Sequence, residues 1–135
     1  MEQIYIYVDG GSRGNPGKAA AAFVVIENGK ILVKKGFYIG NGTNNEAEYS
    51  SVIFALQWLV DKGAGYDRIN IFLDSELVTK QLKGKYKIKS KNLMPLMRKA
   101  RVLEKKISSQ INYKNIPREK NRLADYMVNK VLDEV

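Results

Sequence analysis

Acidic residues at four points of this 135-residue chain are the side chains whose placement could do chemistry. The chain has no cysteine and no histidine, so disulfides, thiolate catalysis and imidazole bases are excluded. Reactive work must fall to carboxylates, lysines, hydroxyls or hard cations held by oxygen. Asp9 directly follows one apolar stretch and Asp74 directly follows another. Open α/β sheets bind ligands just beyond the carboxyl ends of their strands. If the two strands are parallel neighbours, the aspartates stand side by side. Like charges so placed repel unless a cation lies between them. Turn chemistry also explains an Asp before Gly10 and Gly11, and N-capping of the next helix also explains Asp74.

A helix opening Thr43-Asn44-Asn45-Glu46-Ala47-Glu48 holds two more acids, and periodicity separates them. Thr43 and Glu46 have capping-box spacing, with Glu46 reaching back to the Thr43 amide. From Glu46, helical spacing leads to Ser50, Ile53 and Gln57, a mixed face. From Glu48 it leads to Val52, Ala55, Leu56 and Leu59, the apolar stripe. A carboxylate on the core-facing stripe is costly unless it is paired or binds metal. Glu46 therefore reads as structural and Glu48 as functional, with a Glu48–Lys pair as the alternative. Asp125 falls in the first turn of the last helix, where an acid complements the helix dipole. Its sequence position alone supports a structural role.

The elements that must position these acids can be read from pattern. Strands are expected over 3–8, 19–27, 30–39, 68–73 and 110–116, with a glycine-rich turn over 9–17 and a break at 40–42. Asn28-Gly29 marks a tight hairpin between the second and third strands, which should be antiparallel. Helices are expected over 44–62, 75–83, 92–109 and 121–134, with Gly63 and Gly65 as stop signals and Pro95 in a first turn. The order βββαβααβα implies an α/β fold with a five-stranded mixed sheet flanked by helices. Residues 1–135 are expected to form one domain.

The net charge of +9 sits in one half of the chain. Residues 74–135 hold 16 of the 23 Lys and Arg but only 7 of the 14 acids. A one-sided basic surface suits a polyanion such as nucleic acid, although lysine-rich surfaces also serve solubility. No apolar run approaches the roughly 20 residues of a membrane span. The N-terminal MEQIYIYVDGG does not read as a signal peptide. A cytoplasmic monomer without a membrane partner is expected.

Four sequence pieces together resemble the type 1 ribonucleases H. They are Asp9-Gly10-Gly11-Ser12 with Gly14-Asn15-Pro16-Gly17, Thr43-Asn44-Asn45 with Glu48, Leu73-Asp74-Ser75, and Asn121 with Ala124-Asp125. Each is weak alone; their order on this element pattern is specific. The form is similar to compact bacterial and archaeal members that lack a full basic protrusion. The resemblance implies a ribonuclease H-like fold and hydrolysis of the RNA strand of RNA–DNA hybrids. Two Mg²⁺ ions, with Mn²⁺ as a substitute, would serve the reaction and leave 5′-phosphate and 3′-hydroxyl ends. It further implies that Asp9 bridges both metals with Gly10 beside it, that Glu48 and Asp74 complete one site, and that Asp125 serves the other. Gly11, Ser12, Asn15, Asn44, Asn45 and Ser75 would contact substrate, reading 2′-hydroxyls along the RNA. The glycines would let the backbone approach the nucleic acid.

Two departures stand out. The protrusion shrinks to Lys80–Lys91, with six lysines in twelve residues. Lys85, Tyr86 and Lys87 would grip DNA phosphates there, unless the segment is only a solvated connector. The family's flexible-loop histidine is also missing, and Arg118 takes the comparable place. It cannot act as a base because it stays protonated, but it could hold phosphate or help expel product. Two alternative readings remain: a broader nuclease that also cuts double-stranded RNA, and a non-catalytic nucleic-acid-binding module of the same fold.

Overall fold

The computed structural model describes residues 2–63 and 65–135. Its elements run β1 (Gln3–Arg13), β2 (Gly17–Glu27), β3 (Lys30–Gly42), α1 (Asn44–Lys62), β4 (Arg68–Leu73), α2 (Glu76–Leu82), α3 (Met94–Lys105), β5 (Gln110–Asn115), a 3-10 turn (Arg118–Lys120) and α4 (Arg122–Asp133). This is the expected order. The sheet order is β3-β2-β1-β4-β5. β1, β2 and β3 form an antiparallel meander, whereas β1, β4 and β5 are mutually parallel.

Alternation explains how the layers form. Ile4, Ile6 and Val8 of β1 and Ile69, Ile71 and Leu73 of β4 are fully buried beneath Val52, Leu56 and Leu59 of α1. Complete burial of each such side chain contributes about 1.5–3 kcal/mol. On the opposite face, Val128 and Leu132 of α4 pack on Ala20 and Ala22. Gly36 belongs to this layer, since a Cβ there would lie 2.8 Å from Val131. The hairpin uses the expected turn, with Asn28 and Gly29 both at positive φ (54° and 74°). No helix among the described residues is long and apolar enough to cross a membrane.

Several boundaries differ from expectation. The stretch 9–17 is not mainly a turn: β1 continues to Arg13, and only 14–16 turn the chain. Gly10 and Gly11 pair with Ala21 and Ala20, so small residues on both strands preserve the ladder where side-chain alternation disappears. β3 likewise runs through Gly40 to Gly42, with an irregularity opposite Ala19 and Ala20. α3 is shorter than 92–109: a turn over 91–93 precedes Met94, and the chain leaves the helix at Lys106, whose N–H bonds the Leu103 and Glu104 carbonyls.

Candidate active site

The positions of Asp9 and Asp74 follow from strand register. Tyr7 pairs with Phe72 in the parallel β1–β4 ladder. Two residues further along each chain, the two aspartates emerge side by side. Asp74 does not cap α2. Ser75 does so, its Oγ accepting from the Val78 amide at 3.2 Å.

α1 supplies the third acid. Thr43 and Glu46 form the expected capping box: Thr43 Oγ1 accepts from the Glu46 amide at 3.1 Å, and the Thr43 amide donates to Glu46 Oε1 at 2.8 Å. Glu48 then falls on the core stripe and is buried. Gly10 admits the helix this closely. A Cβ on Gly10 would lie 2.2 Å from the backbone C and O of Ala47 and 2.5 Å from the Glu48 nitrogen. The freedom of Gly10 thus serves the approach of α1 to the sheet. Gly11, by contrast, lines the open cleft.

One carboxylate oxygen from each of Asp9, Glu48 and Asp74 lies within 4.8 Å of the other two. Asp125 on α4 stands outside this trio but close enough to act on Asp9. Burial, then the charges of Asp74 and Asp125 and a hydrogen bond with Asp125, push the Asp9 carboxyl up to about 8; the Gly10 backbone opposes the rise. Burial, then Asp9 and Asp74, raise Glu48 well above its ordinary value, again opposed by Gly10. Glu48 Oε1 is buried without a hydrogen-bond partner. Among the described residues, no basic side chain forms a salt bridge with Asp9, Glu48 or Asp74; Arg118 reaches only Asp125, at 3.8 Å. The alternative Glu48–Lys pair is therefore not formed.

The acids lie in a cleft of about 470 Å³ that Gly11, Ser12, Asn44, Asn45, Ser75 and Arg118 also line. Asn44 Oδ1 accepts from the Ser12 amide at 2.9 Å and from Ser12 Oγ at 3.3 Å. Asn15 Oδ1 accepts from the Asn44 amide at 2.9 Å. These amide oxygens brace the rim, and their NH₂ groups are left to donate. Asn15 itself faces an adjoining hollow with Thr43, Asn45 and Asn92.

Comparison with known proteins bears on this geometry. Residues 7–131 match the reverse transcriptase-like family. The fold superimposes on the crystal structure of RNase H1 from Halobacterium salinarum with a TM-score of 0.91 and 37% identity, covering 98% of this chain and 99% of that one. The chain belongs to the type 1 ribonuclease H family. LC11-RNase H1, isolated from compost and solved in complex with an RNA/DNA hybrid, matches with a TM-score of 0.92 and 37% identity over 97% of each chain. Several curated relatives are longer than this chain. The chain covers 65% of the Halobacterium salinarum ribonuclease HI and 36% of the Mycobacterium tuberculosis bifunctional protein Rv2228c, at 37% identity to each.

Within this ribonuclease H fold, Asn121 has a place at the site that its sequence motif does not explain. Buried at the start of α4, it donates from Nδ2 to the Val8 carbonyl at 2.8 Å and to Asp74 Oδ2 at 3.3 Å. It ties α4, and hence Asp125, to the ends of β1 and β4. Its only sequence signal is an Asn placed directly before the helix that carries the fourth acid. Lys85, Tyr86 and Lys87 are not brought into the cleft. Lys80 lies 5.0 Å over the Tyr86 ring and donates to its hydroxyl at 3.2 Å, so the tyrosine is engaged within its own segment. Lys85 and Lys87 are exposed.

Proposed function

We propose that this chain is a metal-dependent endoribonuclease that hydrolyses the RNA strand of RNA–DNA hybrids. The observation that carries this reading is the convergence of three carboxylates from β1, α1 and the end of β4, none in a salt bridge with a basic side chain among the described residues. Holding the buried Asp9 and Glu48 beside a half-buried Asp74 is unfavourable unless their charge is compensated. An all-oxygen donor set with an unpartnered buried Oε1 fits a hard divalent ion, Mg²⁺ or Mn²⁺. Asp9, Glu48 and Asp74 would hold one ion, and Asp9 with Asp125 a second. When bound, the pair supplies a water of lowered pKa and positive charge for the scissile phosphate, giving 5′-phosphate and 3′-hydroxyl products.

The chain's own groups do the rest. Gly10 and Asn121 fix the carboxylates. Asn44, Asn45 and Asn15 offer NH₂ donors to the 2′-hydroxyls of an RNA strand, which favours RNA over DNA at that strand. Ser12 and the Gly11 backbone extend this edge. Arg118, 81% exposed and permanently charged, holds phosphate without accepting a proton. All four acids come from one chain, which supports residues 1–135 acting as a single domain whose site needs no residue from a second copy. The likeness to LC11-RNase H1, solved with an RNA/DNA hybrid, supports the choice of substrate.

The test is cleavage of labelled hybrid, double-stranded RNA and double-stranded DNA with Mg²⁺, Mn²⁺ or EDTA. The expected outcome is metal-dependent cutting of the RNA in the hybrid, slowed at least about 100-fold by Asp74→Asn. Binding of hybrid without cutting would make the chain a binding module. Equal cutting of double-stranded RNA would make it a broader nuclease.

A further inference from the structure

We propose that the outer sheet face across β1 and β4 is a second nucleic-acid contact, one that takes unpaired bases. Three rings lie there. Tyr5 and Tyr7 each stack on Phe72, at centroid distances of 6.2 and 4.8 Å and interplanar angles of 12° and 25°. The cause is register: Tyr7 pairs directly with Phe72, and Tyr5 lies two residues back on the same face. α4 packs over β1, β2 and β3, yet Tyr5 is 38% exposed, and Tyr7 and Phe72 are only half-buried. Rings on a sheet normally serve a core. These form a stack that is open on one side.

Charge indicates what would cover it. Register puts Lys114 beside Phe72, and Arg68 shares the face four residues back along β4. Short of Asp9 and Asp74 at the strand ends, none of the side chains that pairing sets across this face, from Gln3 to Lys114, is acidic. The apolar cleft beside Tyr7 is rimmed by Lys120 and Arg122 and lined by no acid. Rings within a basic rim suit a single strand, whose bases stack on aromatic faces while its phosphates meet cations. A duplex does not fit, because its base faces are already stacked. The location is also suitable: Asp9 follows Tyr7 by two residues on the same face, about 7 Å of strand. A strand leaving the carboxylate cleft would pass Lys120 and Arg122 before reaching the rings.

This contact is independent of hydrolysis, so it is measured in EDTA. The probe is a labelled single strand of about ten nucleotides, as DNA and as RNA, read by fluorescence anisotropy. Both should bind, since stacking reads the base face. Tyr5→Ala and Tyr5→Leu should each weaken binding about fivefold or more, whereas Tyr5→Phe should keep it. Trp58, the single tryptophan, packs towards Phe23 on the opposite side of the sheet, and its emission reports that the fold is retained. The proposal is overturned if a Tyr5→Ala or Tyr5→Leu variant with unchanged Trp58 emission binds as the wild type does. It is equally overturned if only RNA binds, which points to the cleft, or if Tyr5→Ala alters sedimentation instead, which makes the face a contact between copies.

Discussion

The acids at this site conflict with the stability of the protein that carries them. Asp9 titrates at about 8 against an ordinary 3.8, because burial and the neighbouring acids disfavour its charge. By linkage, a carboxyl raised in the folded state favours folding while protonated, and that contribution is lost as pH rises from its ordinary value through about 8. Asp74→Asn removes one of the repelling charges. In EDTA the variant should melt above the wild type at pH 8, and the gap should shrink towards pH 4. Divalent metal should raise the wild type more than the variant, because the ion favours the ionised acids. Thermal melting across pH, with and without Mg²⁺, checks both. Residue types alone make this cluster legible: strand-end aspartates and an acid on an apolar helix stripe are costly arrangements. Asp125 is legible only through family resemblance, because an acid in a first helical turn is ordinary. The role of Asn121 is hidden from local pattern because its contacts span 113 and 47 residues of sequence.

At the scale of elements, the site depends on how closely α1 meets β1. Gly10→Ala forces a methyl onto the Ala47 backbone, which cannot yield as a flexible side chain would. The variant should lose about 3 kcal/mol or more, measured by denaturant unfolding. It should also lose cleavage beyond what the instability explains, since Glu48 moves with α1. Gly11→Ala meets only ordinary contacts, at 3.7 Å or more, and should fold normally. The sequence pattern identifies each element and its order. It misses the end of β1 because alternation carries no signal through Gly10-Gly11. There the ladder is continued by the four alanines of β2, of which Ala20 and Ala22 leave room for α4. It also lengthens α3, whose amphipathic pattern runs beyond Lys105 although the backbone turns away at Lys106.

For the whole molecule, the uneven charge is the dominant property. The half of the chain that follows β4 carries the entire +9 and presents Lys83–Lys91 as a largely exposed segment. If its lysines meet phosphates, hybrid affinity should fall at least about tenfold between ~50 and ~200 mM salt. The joint change Lys85→Ala and Lys87→Ala should reduce the slope of log affinity against log salt by about one for each phosphate no longer neutralised. An unchanged slope would mark the segment as a solvated connector. The absence of these lysines from the carboxylate cleft is compatible with either outcome, because a hybrid duplex extends well beyond a 470 Å³ cleft.

The central claim is that Glu48, and not its neighbour Glu46, belongs to a metal-binding cluster that cuts RNA. The most direct measurement is the cleavage rate of a labelled RNA–DNA hybrid in Mg²⁺ by wild type, Glu46→Gln and Glu48→Gln. Glu46→Gln alters only the cap and should cut within about threefold of wild type, since a cap is worth only about 1 kcal/mol. Glu48→Gln should be at least about 100-fold slower. Full activity in Glu48→Gln, or loss of activity in a folded Glu46→Gln, would contradict it.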